Sequence, residues 1–241
     1  MDTIAILPLG ATEQHGPHLP FETDTIIAEN IAIRVIAKRP KEVNVLLLDV
    51  EPVGYSPEHV DFPGTKTLTF DEAINRWISI GESMHKRDIH KFLMLNAHGG
   101  NSPLMSIVAQ ELRVRFDMLA VATSWTRFIK QSPLIDANEQ AIGIHGGDIE
   151  TSVMLALRPD LVSMEKAANF PSLQQKLIEN YKHLRAYGPH AFGWKMSDLN
   201  REGVVGNARA ATAEKGEALL ELAVDGLVEL LEDIDGFEGF S

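Results

Sequence analysis

Apolar residues along the chain fall into two patterns, short continuous runs and longer stretches with helical spacing. The short runs predict buried strands at Ile4–Leu9 and at residues 45–48, 92–95 and 118–123. The longer stretches predict amphipathic helices: the first is N-capped at Asp24 and Thr25 and ends near Pro40, and the others cover residues 70–86, 103–116, 150–157 and 213–233. Strands that alternate with helices predict an α/β fold, with a mostly parallel sheet and helices on both faces, in one domain over residues 1–241.

Two polar loops follow predicted strands, at residues 10–23 and 96–101. In parallel sheets, binding sites form at the carboxyl ends of the strands, where such loops gather. Residues 170–211 are rich in aromatic residues and glycines, and we expect them to cover this site.

The charge balance narrows the range of functions. The chain has 34 acidic and 22 basic residues, a net charge of −12, which argues against a nucleic-acid-binding surface. No apolar run reaches the roughly 20 residues of a membrane span, and the first residues lack the features of a signal peptide. We therefore expect a cytoplasmic enzyme with a small-molecule substrate.

The first polar loop concentrates possible metal ligands. Glu13 and His15 are two residues apart, so their side chains share one side of an extended segment. Asp24 stands at the start of the next helix, where the helix dipole favours a carboxylate. Taken alone, this group could equally be a solvated surface loop.

Two further histidines lie beside paired glycines. His98 follows the third strand, and His145 precedes a helix start that also carries Asp148 and Glu150. The chain has no cysteine, which excludes thiolate ligands and a cysteine nucleophile. Imidazole and carboxylate donors suit Zn²⁺, Mn²⁺ or Fe²⁺ rather than Ca²⁺. A pair of cations needs a bridging carboxylate, and Asp24, short and anchored on a helix, is the expected bridge.

Five segments resemble motifs of the creatininase (creatinine amidohydrolase) family and occur in the same order. They are residues 10–20 with Asp24 downstream, 56–65 (SPEHVDFPGT), 96–101 (NAHGGN), 145–152 (HGGDIETS) and 203–216 (GVVGNARAATAEKG). The resemblance implies a three-layer α/β/α sandwich with two divalent metal ions, Zn²⁺ as the first expectation and Mn²⁺ or Fe²⁺ as alternatives. It also implies a homo-oligomer, commonly a hexamer in this family.

The resemblance also implies the metal ligands. Glu13 and His98 would ligate one ion, His15 the other, and Asp24 would bridge them. Creatininase proper has a further ligand, a glutamate, at the position of Gly100. In relatives with two glycines here, the glutamate of the third motif can fill the gap, which points to Glu150.

Several assignments stay open at this level. Asp148 competes with Glu150, which could also be an ordinary carboxylate at a helix start. Gly99 and Ala141 stand where creatininase has a tyrosine and a tryptophan, which lowers the expectation that creatinine is the substrate. His18 is expected to hydrogen-bond within its own loop.

The pair Glu58 and His59 has two interpretations: it lines the pocket, or it has an ordinary loop role. Phe192 and Trp194 are expected to serve packing. A phosphate-bearing substrate would need cations, for which the candidates are Arg127, Lys130 and Arg201.

We therefore predict a metal-dependent amidohydrolase of the EC 3.5 class, with His145 and Glu150 as catalytic residues. It would hydrolyse a C–N bond of a small cyclic amide or formamide, such as a formamido-pyrimidine nucleotide, through a hydroxide held between the metals. His145 would deliver a proton to the leaving nitrogen, or alternatively hold a ligand carboxylate. The rival readings are an enzyme acting on a keto-sugar or a peptide precursor, and a non-catalytic metal-binding module.

Overall fold

Four parallel strands form the central sheet of the protein, seen in a computed structural model that describes residues 2–130 and 132–239. They are β1 (Ile4–Leu9), β2 (Val45–Leu47), β3 (Lys91–Asn96) and β4 (Leu119–Ser124), in the spatial order β2-β1-β3-β4. The two central strands, β1 and β3, are buried along their whole length, which explains why their sequences are almost continuously apolar. The four predicted strands are confirmed.

Helices cover both faces of this sheet, as predicted. On one face lie α1 (Thr23–Lys38), α5 (Asp148–Leu157) and α8 (Ala213–Gly236); on the other lie α2 (Phe70–His85) and α3 (Ser102–Phe116). Alternate residues of β1 serve the two sides, since Ile4 and Ile6 pack in the first core and Ala5 and Leu7 in the second. The α/β/α prediction is confirmed.

The remaining α-helices and two short strands lie between β4 and α8 in the chain. They are α4 (Ala137–Ile142), α6 (Leu173–Asn180), α7 (Met196–Leu199) and the antiparallel pair β5 (Asn169–Phe170) and β6 (Gly206–Asn207). Residues 187–198 line a cavity over the carboxyl edge of the sheet, in agreement with the expected covering role of residues 170–211. None of the described helices has the length and apolarity needed to cross a membrane.

The first helix begins differently from the prediction. Its N-cap is Glu22, which makes no side-chain capping bond, and Asp24 lies inside the first turn. The Asp24 side chain is 2% exposed and turns toward His15 and His98 instead of capping the helix. The fifth helix also starts two residues earlier than predicted, at Asp148.

Candidate metal centre

Side chains from four segments converge at the carboxyl ends of β1 and β3. The loop after β1 supplies Glu13 and His15, α1 supplies Asp24, the loop after β3 supplies His98, and α5 supplies Glu150. The first four are buried and Glu150 is nearly so. All five predicted metal ligands therefore lie at one centre.

Asp24 stands at the middle of this group. Its Oδ1 lies 3.3 Å from Nε2 of His15, and its Oδ2 lies 3.3 Å from Nδ1 of His98. The same His98 nitrogen is 3.1 Å from Oε1 of Glu13, and Nε2 of His15 is 4.0 Å from Oε2 of Glu150. The two oxygens of one aspartate thus face two separate pairs of side chains, which is the geometry of a bridging carboxylate.

Backbone carbonyls fix which nitrogen of each imidazole faces the centre. Nδ1 of His15 lies 3.0 Å from the Glu13 carbonyl oxygen, and Nε2 of His98 lies 3.0 Å from that of Tyr55. Because a carbonyl only accepts hydrogen bonds, each of these nitrogens carries the hydrogen. The opposite nitrogen of each ring faces the centre, as in histidines that bind metals.

No lysine or arginine balances the carboxylates of the centre, those of Glu13, Asp24 and Glu150, in the parts of the chain that the structure describes. Both carboxylate oxygens of Glu13, Oδ2 of Asp24 and Nε2 of His15 are buried without a hydrogen-bond partner. Buried polar atoms of this kind are costly unless a ligand or an ion satisfies them.

The pKa values of these side chains reflect the mutual attraction of the imidazoles and carboxylates. Burial opposes protonation of His15, but the nearby carboxylates, Asp24 first, outweigh it and raise its pKa to about 9. Burial likewise opposes protonation of His98, yet Glu13 and Asp24 raise its pKa well above the usual value. Burial raises the pKa of Glu150 to about 7. Protons on the imidazoles therefore stand where a divalent cation would bind and displace them.

The spacing of the donors fits a divalent ion. Two ligands that each bind one Zn²⁺ at about 2.1 Å stand about 3.0–3.4 Å apart when the coordination angle is between 90° and 109°. The distances from His98 to Glu13 (3.1 Å) and Asp24 (3.3 Å) and from His15 to Asp24 (3.3 Å) lie in this range. The distance from His15 to Glu150 is longer, 4.0 Å, so the fit to divalent ions rests on the donors that face the two oxygens of Asp24.

His145, the predicted proton carrier, borders this centre. Its Nε2 lies 2.7 Å from the Gln14 carbonyl oxygen and so carries the hydrogen. Its Nδ1 points toward Oε1 of Glu13 at 3.7 Å. Burial, and then the charges of His15 and His59, hold the pKa of His145 well below the usual value, so the imidazole is neutral.

Asp148 and Glu150, the two candidate carboxylates of the third motif, have different partners in the structure. Both oxygens of Asp148 accept hydrogen bonds from Nζ of Lys215, at 2.8 and 2.6 Å, and one also accepts from Ser152. Oε2 of Glu150 instead accepts a 2.6 Å bond from the Gly146 amide and faces His15. Asp148 is therefore engaged away from the centre, and Glu150 is the carboxylate that reaches it.

A cavity of about 770 Å³ opens over the centre. Glu13, His98 and His145 lie in its wall, and so do Glu58 and His59, the two residues whose role the sequence left open. Nε2 of His59 stands 3.3 Å from Oε1 of Glu13.

Phe192 and Trp194 pack against a small core cluster, as the sequence predicted, and they also line the cavity. Lys130, a candidate cation for a phosphate-bearing substrate, lines a separate cavity of about 230 Å³ beside His145 and Glu150. Among the described residues, the cationic side chain in the wall of the large cavity is that of Lys195.

His18 has other hydrogen-bond partners than expected, and Glu139 is a buried residue that the sequence analysis did not identify. His18 does not bond within its own loop; its Nε2 reaches the Gly146 carbonyl at 3.1 Å and Thr151 at 2.9 Å. Glu139 is a buried carboxylate that accepts hydrogen bonds from the amides of Asp148 (2.8 Å) and Asn207 (2.7 Å). It holds the start of α5 against β6, and nothing in its sequence surroundings distinguishes it from a surface glutamate.

Comparison with known proteins settles the family. The family model described as creatinine amidohydrolase matches residues 1–231. The chain belongs to the creatininase family. Membership confirms the prediction of a hydrolase that acts on carbon–nitrogen bonds.

Creatininase-family relatives match almost the whole chain. The "Mycofactocin precursor peptide peptidase" of Mycolicibacterium smegmatis is 26% identical over 235 residues, covering 96% of this chain and 85% of the relative. The "Creatinine amidohydrolase" of Pseudomonas putida is 26% identical over 249 residues, covering 96% of this chain and 90% of the relative. Relatives at similar distance therefore act on different substrates.

Solved creatininases share the fold and are described with metals. One, "Creatininase Mn", is 25% identical with a TM-score of 0.78 and covers 96% of this chain and 91% of that structure. Another, of "Zn-Zn type", is 25% identical with a TM-score of 0.76 and covers 96% of this chain and 90% of that structure.

Proposed function

We propose that the protein is a metal-dependent amidohydrolase with two divalent cations at this centre. Glu13 and His98 would hold one ion, His15 and Glu150 the other, and Asp24 would hold both. The observation that carries the proposal is that the two oxygens of Asp24 face His15 and His98, each at 3.3 Å. The unpartnered buried atoms of Glu13, His15 and Asp24 support it, because they need a cation to satisfy them.

The chemistry follows from the groups at the cavity. When bound, two divalent cations supply Lewis acidity and bring the pKa of a water molecule toward neutrality. His145 keeps an unprotonated Nδ1, which faces Oε1 of Glu13, since its Nε2 hydrogen is held by the Gln14 carbonyl. This nitrogen would accept a proton from the attacking water and pass it to the leaving nitrogen of the amide. Zn²⁺ is the first expectation for the ions, with Mn²⁺ or Fe²⁺ as alternatives.

The open cavity favours an enzyme over a closed metal-binding module. Glu13 and His98 lie directly in the wall of the 770 Å³ cavity, so a small molecule can reach the centre. A purely structural metal site would have every coordination position closed by protein.

The test is a screen of protein loaded with Zn²⁺, Mn²⁺ or Fe²⁺ on small cyclic amides, formamides and keto-sugars in ¹⁸O-labelled water. We expect hydrolysis of a C–N bond with label in the carbonyl product. Activity on keto-sugars alone, or isomerised product without label, would contradict the proposed reaction.

Two variants separate binding from catalysis in the same screen. Glu13→Ala should lose metal and activity together, whereas His145→Gln should keep both metals and lose activity. A Glu13→Ala protein that keeps full metal content and full activity would refute the assignment of Glu13.

A further inference from the structure

Glu58 is an acidic side chain in the cavity wall that the proposed chemistry does not use. It lies in the single helical turn Pro57–His59, and its side chain is 16% exposed. Its Oε1 is 3.6 Å from Nε2 of His98, so it stands at the edge of the metal centre on the cavity side.

The contact of the Glu58 carboxylate with the His98 imidazole, at 3.6 Å, is longer than a hydrogen bond. The Nε2 hydrogen of His98 points to the Tyr55 carbonyl at 3.0 Å, the shorter contact. Within residues 2–130 and 132–239, no lysine or arginine forms an ion pair with Glu58. Lys195 lines the same cavity, but its Nζ is paired with Asp61 at 3.1 Å. A largely buried carboxylate that no lysine or arginine neutralises is left to bind a cationic group from the cavity.

The two glycines after His98 have opposite roles around Glu58. A Cβ on Gly100 would stand 2.7 Å from Oε1 of Glu58, so the absence of a side chain there makes room for this carboxylate. A Cβ on Gly99 would meet nothing within 4 Å, so the cavity is open at this part of its wall.

We infer that Glu58 binds a basic group of the substrate, such as a protonated amine, amidine or guanidine. This inference rests on the proposed function and adds the charge of the substrate to it.

The experiment compares two probes of matched shape on Zn²⁺-loaded protein: methylguanidine, a cation, and N-methylurea, its neutral isostere. Dissociation constants are measured by ligand-observed NMR for the wild type, Glu58→Gln and Asp198→Asn. Asp198→Asn is the matched control, because it removes one negative charge from the same cavity and leaves Glu58 in place.

We expect the wild type and Asp198→Asn to prefer methylguanidine by about tenfold or more, the range of a charge-assisted hydrogen bond. Glu58→Gln should bind the two probes within about threefold of each other. Equal binding by the wild type, or a preference that survives in Glu58→Gln, would overturn the inference.

Metal content, measured on the same samples, separates the two proposals. Wild-type protein that holds no Zn²⁺ would contradict the proposed function, whereas the probe comparison addresses Glu58. If Glu58→Gln loses bound Zn²⁺, Glu58 is a metal ligand, and its role toward the substrate is refuted.

Discussion

The adjacent glycines at 99 and 100 offer a matched test of the metal centre. Gly100→Ala would place a methyl group 2.3 Å from the Tyr55 carbonyl oxygen and 2.5 Å from Nε2 of His98. These two atoms form the 3.0 Å hydrogen bond that orients the His98 ring. The substitution therefore acts on a ligand through its supporting bond, without removing any donor atom.

The structure sets the size of the effect. The Tyr55 oxygen must retreat by about 0.7 Å to reach even the 3.0 Å limit below which real Cβ contacts essentially do not occur. Metal–ligand distances tolerate only about 0.2 Å, and loss of a bond that orients a ligand weakens metal binding by about 10–100-fold. We expect the metal affinity of Gly100→Ala to fall by about this factor, or about 1.4–2.8 kcal/mol.

The assay is competition for Zn²⁺ with a chromophoric chelator, with circular dichroism to check that each variant is folded. Gly99→Ala is the control, because its methyl group meets no atom within 4 Å and its affinity should stay within about twofold of the wild type. Equal affinities for the wild type and Gly100→Ala, or equal losses in both variants, would refute the reasoning.

Three further predictions concern stability, each measured by chemical denaturation. Gly216→Ala should destabilise the fold by about 1–3 kcal/mol, because its Cβ would lie 1.9 Å from the Ser152 carbonyl oxygen; an unchanged midpoint would contradict the close helix contact. Lys215→Met should cost about 3–5 kcal/mol, since it strands the buried carboxylate of Asp148, and Lys215→Met combined with Asp148→Asn should recover part of the loss. Burial lowers the pKa of His18 to about 4, so stability from neutral His18 is present above pH 6.5 and is lost as pH falls through about 4. His18→Gln should weaken the dependence of stability on pH in this range. An unaltered dependence would contradict this role of His18.

The sequence predicted the sheet and its helices because local patterns determine them. β1 and β3 are buried on both sides, so they appear as nearly continuous apolar runs. The helix after β1 was predicted correctly, but its predicted N-cap was wrong. Asp24 is a typical capping residue, and only the position of His15 and His98 in space shows that its carboxylate is used at the centre instead.

The site was partly predictable for the same reason. Glu13, His15 and His98 follow strands of a parallel sheet, whose carboxyl ends meet at one edge. The choice between Asp148 and Glu150 was not predictable from spacing, because it depends on Lys215, which lies 67 residues from Asp148 in the chain.

Other features depend on long-range contacts that leave no local pattern. Glu139 is buried because the backbone of residues 147–148 and 206–207 closes around it. His18 bonds to Gly146 and Thr151, more than 120 residues away. The cavity-lining roles of Phe192 and Trp194 depend on how residues 187–198 fold back over the sheet edge.

The most direct test of the account is a crystal structure of Zn²⁺-loaded protein with anomalous scattering measured on both sides of the zinc absorption edge. We predict two zinc peaks per chain: one beside Glu13 and His98, one beside His15 and Glu150, and the Asp24 carboxylate between them. An Asp24→Asn crystal should show reduced occupancy of both peaks. A single peak, peaks outside this group, or two full peaks in Asp24→Asn would contradict the proposed centre.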